Sequence, residues 1–65
     1  MENTIRFNMD MIMDTIRELS KSQGFYGRLY NAICELDDEQ YAELKQELES
    51  QNFKSKLDVI LYFEQ

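Results

Sequence analysis

The sequence predicts an all-α fold, a compact bundle of three to four short helices, and two observations support this prediction. Apolar residues recur three and four positions apart along most of the 65-residue chain, which is the period of an amphipathic helix. Residues that can cap a helix start precede the later apolar stripes, at Ser20, Asp37 and Ser55. No internal repeat or low-complexity linker divides it, and residues 1–65 are expected to form a single helical domain.

The first apolar stripe begins at Ile5 and predicts a helix that ends near Leu19. Residues 5–11 also alternate between apolar and polar, as a strand does, so an irregular or strand-like N-terminal segment is the alternative. Phe7 and Met11 fall on the opposite side of the helix, where a second apolar stripe needs cover. These two residues are therefore predicted interface residues. The stripe itself consists of Ile5, Met9, Ile12, Ile16 and Leu19, with Met13 at its edge.

The segment Ser22–Leu29 holds both glycines of the chain, and we interpret it as a junction between two helices. Ser20 and Ser22 can each cap the helix that follows. Gly24 and Gly27 predict a close approach of two backbones, because glycine is otherwise unfavourable in a helix. The apolar stripe of this second helix is predicted as Tyr26, Leu29, Ile33 and Leu36.

Phe25 and Tyr26 are adjacent aromatic residues at the start of the second helix, and one stripe cannot bury both. One of them is expected to face another helix, a second subunit or a partner, so both are candidate interface residues. Arg28 follows on the same turn and is a third candidate. Its guanidinium is expected to reach an acid such as Asp14 or Glu18.

The start of the third helix carries the clearest local signal in the chain. Asp37 and Gln40 have capping-box spacing, and Asn52 can adopt the left-handed conformation that ends a helix. Ser55 is then expected to cap a last helix. The predicted stripe of the third helix is Tyr41, Leu44 and Leu48. That of the last helix is Leu57, Ile60 and Leu61, widened by Val59 and Phe63.

Charge is distributed unevenly along the chain. Residues 1–34 carry four acids and four bases, whereas residues 35–65 carry nine acids and three bases and so hold the whole net charge of −6. Such an excess of negative charge repels nucleic acid and anionic membrane, which leaves proteins as the expected partners. Glu39, Glu43 and Glu47 lie four residues apart and should stack along one edge of the third helix. We interpret them as an acidic ridge that binds a basic surface. The alternative is a solvated face that keeps the protein soluble.

The residue types argue against an enzyme. The chain has no histidine and one cysteine, so no imidazole base and no zinc or cofactor site is predicted. Cys34 is expected to be a buried or half-buried structural residue, and a lone cysteine without a signal peptide predicts a cytoplasmic protein. The N-terminal residues are too polar for a membrane span. A core this small usually needs extra support, so a homo-oligomer, in the simplest case a dimer, is expected.

Two stretches of the chain resemble a family of short helical proteins from phages and mobile elements of Gram-positive bacteria. They are Lys21–Leu29 and Gln51–Lys54, the second followed by Leu57, Asp58 and an apolar tail that ends near Glu64. The resemblance covers most of residues 12–64 and implies no established activity. It implies a context in which small acidic proteins often bind and block a host protein, including proteins of host defence.

Two other functions remain as alternatives to a protein-binding module. The order of a short alternating segment, a helix, a glycine junction and a second helix is similar to that of a ribbon-helix-helix repressor. In that case Arg6, Asn8 and Asp10 would contact DNA, although the basic surface of a DNA-binding protein is missing. The second alternative is a purely structural oligomer subunit, with Phe7 and Met11 as its seam.

Overall fold

The computed structural model describes residues 6–65, which form four helices joined by short loops. They are α1 (Met9–Leu19), α2 (Gly24–Cys34), α3 (Asp38–Ser50) and α4 (Lys56–Phe63). No strand occurs among these residues, so the predicted all-α bundle is confirmed.

Helix α1 is the centre of the bundle, because it packs against each of the other three helices. Its predicted stripe is confirmed at Met9, Ile12 and Ile16, which are all buried, whereas Ile5 lies outside the described residues. Thr15 is also buried and donates a hydrogen bond to the Met11 carbonyl at 2.9 Å. The other buried side chains come from all three remaining helices and the last loop: Tyr26, Ile33, Leu48, Phe53 and Val59.

The expected helical start at Ile5 is wrong for residues 6–8, which precede α1 and are not helical. Asn8 is the N-cap: its backbone is extended, and its Oδ1 accepts a hydrogen bond from the Met11 amide at 2.9 Å. The strand interpretation also fails from Met9 onward, because Asp10 lies in the first turn of α1. Of the three residues predicted to contact DNA in that alternative, Asp10 is therefore helical, whereas Arg6 and Asn8 precede α1.

Residues 6–9 are bound to the corner between α3 and α4, and we call this attachment the N-terminal clip. The Phe7 amide donates to the Phe53 carbonyl at 3.0 Å, and the Met9 amide donates to Glu49 Oε2 at 2.6 Å. Arg6 Nη2 lies 3.4 Å from the Glu49 carbonyl. The Glu49 carboxylate accepts a hydrogen bond from a free N–H group of the first helical turn, and the positive end of the helix dipole stabilises its negative charge.

The junction between α1 and α2 differs from the predicted caps. The hydroxyl of Ser20 donates to the Arg17 carbonyl at 2.5 Å, and that of Ser22 donates to the Leu19 carbonyl at 3.4 Å. Both serines thus satisfy carbonyl groups at the end of α1 instead of capping α2. The N-cap of α2 is Gln23, whose side chain makes no capping hydrogen bond.

The two glycines do not mark the close backbone approach that the sequence predicts. A Cβ added at Gly24 would lie 3.6 Å from Arg28 Nη1, and one added at Gly27 would lie 3.8 Å from the Cβ of Ser20. Both distances are ordinary van der Waals contacts, and neither glycine has a positive φ angle. An alanine therefore fits at either position.

The local signals around α3 and at the start of α4 are confirmed. The Gln40 amide donates to Asp37 Oδ1 at 2.7 Å, and the Gln40 side chain accepts from the Asp37 amide at 3.5 Å, which completes the capping box. Asn52 has a φ of 64° directly after the C-cap of α3. Ser55 caps α4 by accepting from the Asp58 amide.

The predicted apolar face of α4 is wrong at Leu57 and Leu61. Leu57 and Leu61 are 60% and 55% exposed, whereas Val59 is fully buried. The helix is apolar around most of its circumference, so the period does not select one face. Edge-to-face packing of Tyr62 on Phe53, at a centroid distance of 5.4 Å, fixes the rotation of the helix instead.

The clip makes a prediction about stability. Replacing Glu49 with alanine leaves the Met9 amide without its acceptor, and we expect the free energy of unfolding to fall by about 1–2 kcal/mol. Glu47→Ala is the matched control, because Glu47 is exposed on the same helix, and surface changes of this kind cost within about 0.5 kcal/mol. Urea unfolding measures both. Equal losses in the two variants would show that the clip does not stabilise the fold.

The contacts at Gly27 make a second prediction. We expect Gly27→Ala to raise the free energy of unfolding by about 0.5–1 kcal/mol, because alanine is favoured over glycine inside a helix and the added Cβ has room. Thermal and urea unfolding of the variant measure the change. Destabilisation would mean that α1 and α2 approach more closely at Gly27 than this geometry shows.

Candidate functional site

The acidic ridge lies on the solvent side of α3. Glu39, Glu43 and Glu47 are all exposed, and the capping box that starts α3 puts them in helical register, one turn apart. Glu39 also lies in the first turn, where the helix dipole favours a negative charge. The inward side of the same helix carries the buried Leu48 and the half-buried Tyr41 and Leu44.

The charge of the ridge is not neutralised within the described part of the chain. Among residues 6–65, the ion pair within 4.0 Å is that between Glu18 and Lys56, and no cation is paired with a ridge glutamate. Helix α3 holds five acids and one base, Lys45, and so carries a formal charge of 1 − 5 = −4. One of the five, Glu49, points inward to the clip. The remaining negative charge faces solvent.

Phe7 and Met11, the predicted seam, lie in a shallow groove of about 520 Å³ between α1 and the start of α4. Both side chains are half-buried, so the structure itself already covers part of this stripe. The rim of the groove carries both signs of charge and consists of Asp14, Arg17, Glu18, Lys21 and Lys56.

The two adjacent aromatic residues at the start of α2 have different environments. Tyr26 is fully buried, so its side chain offers no surface to a partner, and the interface expectation there is corrected to Phe25 alone. Phe25 is 46% exposed, and its ring packs edge-on against Tyr26 at a centroid distance of 5.1 Å. The difference arises because Tyr26 lies on the line of α2 that includes the buried Ile33.

Arg28 is exposed and does not form the predicted ion pair with Asp14 or Glu18. Its Nη1 atom lies over Gly24, one turn earlier on the same helix. Glu18 instead binds Lys56 Nζ at 2.8 Å. This hydrogen bond and the positive charge of Lys56 lower the pKa of the Glu18 carboxyl, and the same contact raises the pKa of Lys56.

The phenol of the buried Tyr26 has a perturbed pKa. Its hydroxyl donates a hydrogen bond to Glu64 Oε2 at 3.3 Å. Burial raises the pKa of the Tyr26 phenol, and the negative charge of Glu64 and the hydrogen bond to it raise this pKa further. The contact joins the start of α2 to the end of α4, and its partner Glu64 is exposed.

No group of three or more cysteine, aspartate or glutamate residues within residues 6–65 is arranged to hold a metal ion. Cys34 is exposed at the end of α2, which corrects the expected burial. It follows the buried Ile33 by one residue, a rotation of about 100° away from the core.

The chain matches no protein-family model, no curated protein and no solved structure in the comparisons made with all three. Within residues 6–65, no helix has the length and apolar character needed to cross a membrane.

The raised pKa of Tyr26 predicts a loss of stability in alkali. A phenol whose pKa is higher in the folded state contributes fully below its unfolded pKa of about 10, and this contribution disappears as the pH rises through the folded value. We therefore expect the free energy of unfolding to decline less steeply above about pH 10 in Tyr26→Phe than in the wild type. Urea unfolding at a series of pH values measures this decline.

Tyr30→Phe is the matched control for that series, because Tyr30 is a half-buried tyrosine on the same helix. It should keep the wild-type alkaline decline. Identical slopes in the wild type and Tyr26→Phe would contradict the role given to Tyr26.

Proposed function

We propose that this protein is a small acidic module that binds another protein through the acidic ridge of α3. The observation that supports the proposal is the line of three exposed glutamates without a cation partner in the described chain. Charge of one sign on a rigid face attracts a basic surface and accelerates association with it. We place the protein in the cytoplasm, since its single cysteine is free.

The resemblance of Lys21–Leu29 and Gln51–Lys54 to proteins of phages and mobile elements suggests the biological role. We propose that the bound partner is a host protein, such as a protein of host defence, and that binding inhibits it. A basic surface that normally holds nucleic acid is the kind of surface that the ridge fits, because both ligands present a row of negative charges.

Charge reversal on the ridge tests the proposal. Glu43→Lys with Glu47→Lys should abolish capture of the partner from a host lysate, because two attractive contacts become repulsive. These positions avoid the first turn of α3, so helicity by circular dichroism should be unchanged. Capture by the wild type should weaken as salt is raised, since exposed charges are screened.

Asp14→Lys with Glu35→Lys is the matched control. Both residues are exposed and lie outside α3. Each double variant replaces two acids with two bases and so changes the formal net charge equally, from −6 to −2. The control should capture the same protein as the wild type and lower the activity of that protein equally. Full capture by the ridge variant, or equal loss in both variants, would reject the ridge as the binding site.

A further inference from the structure

The outward face of α4 carries two leucines that do not pack on the core. Leu57 and Leu61 are 60% and 55% exposed and lie four residues apart, so they share one side of the helix. The opposite side carries the buried Val59 and the half-buried Tyr62 and Phe63. Large apolar side chains grouped on the surface of a small protein mark a contact surface.

Phe25, the third large apolar side chain with high exposure, lies at the start of α2. Its ring packs on Tyr26, and the Tyr26 hydroxyl reaches Glu64, which follows α4 directly. Tyr26 therefore links the start of α2, which carries Phe25, to the carboxyl end of α4.

The charge of this region favours a second copy of the chain as its occupant. Residues 54–65 contain two bases, Lys54 and Lys56, and two acids, Asp58 and Glu64, so their formal charge is 2 − 2 = 0. Helix α3, in contrast, carries −4. Two copies with a net charge of −6 repel each other least where their surfaces are neutral.

We propose that α4 pairs with α4 of a second copy in an antiparallel arrangement, about a two-fold axis that crosses the outward face of α4 halfway between Leu57 and Leu61. Leu57 of each copy then packs on Leu61 of the other, as a self-complementary interface requires. In this register Lys54 lies opposite Glu64 of the second copy. Parallel pairing would instead bring Lys54 against Lys54 and Glu64 against Glu64.

The size of the surface sets the expected affinity. Helix α4 has eight residues and is about 12 Å long, so the pairing buries less than the roughly 1,200 Å² of a standard stable interface. We expect a reversible dimer with a dissociation constant on the order of 100 µM.

Sedimentation equilibrium from about 10 µM to about 1 mM tests the pairing, and the wild-type mass should rise toward that of a dimer. Leu57→Asp with Leu61→Asp should weaken the dimer at least about tenfold, without loss of helicity because both residues are exposed. The matched control, Ala42→Asp with Gln46→Asp, places the same charges one turn apart on exposed positions of α3 and should dimerise as the wild type does.

The relative direction of the two α4 helices, antiparallel or parallel, is tested by exchanging the charges of Lys54 and Glu64. Lys54→Glu alone should weaken the dimer, and Lys54→Glu with Glu64→Lys should restore it, with the melting temperature recorded for each variant. A wild type that is monomeric at about 1 mM overturns the proposal. So does a dimer that tolerates both leucine substitutions and is lost in Phe7→Asp, which would place the contact in the groove.

Discussion

The hydrogen bond from the Met9 amide to the Glu49 carboxylate is the contact on which the arrangement of the bundle depends. It joins the first turn of α1 to the last turns of α3 across 40 residues of sequence. The rotation of α3 that directs Glu49 toward α1 also decides where Glu47 lies. Glu47 is two residues earlier, which is about 200° around the helix. Holding Glu49 inward turns Glu47 to solvent, together with the two ridge glutamates in line with it.

The apolar residues of helix α4 are divided between the core and the surface, because aromatic packing determines which side of the helix faces inward. The aromatic cluster of Phe53, Tyr62 and Phe63 occupies the inward side, with ring centroids 5.0 and 5.4 Å apart. Since the Phe53 carbonyl also accepts a hydrogen bond from the Phe7 amide, the clip and the aromatic cluster meet at one corner. The two outward surfaces that result differ in chemistry: the ridge of α3 is strongly acidic, whereas α4 is neutral and apolar. They suit different kinds of partner.

Some interactions within four residues could be predicted from the sequence, whereas those between distant segments could not. The capping box of Asp37 and Gln40 and the left-handed Asn52 depend on neighbouring backbone alone. The serines of the first junction carry an equal signal for capping, but their hydroxyls donate to carbonyl groups three residues earlier, at the end of α1. The period could place the ridge on one edge of a helix. It could not separate Glu49 from the other glutamates or choose between the faces of α4.

Amide hydrogen exchange measured by NMR tests most directly whether the clip holds the bundle together. The Phe7 and Met9 amides precede or begin α1, where an unattached helix end would fray. With the clip in place, both should exchange as slowly as the amides of Ile12 and Ile16, through global unfolding. Fast exchange of Phe7 and Met9 beside a protected α1 would contradict this account, because the helix would then be held without its attachment to α3.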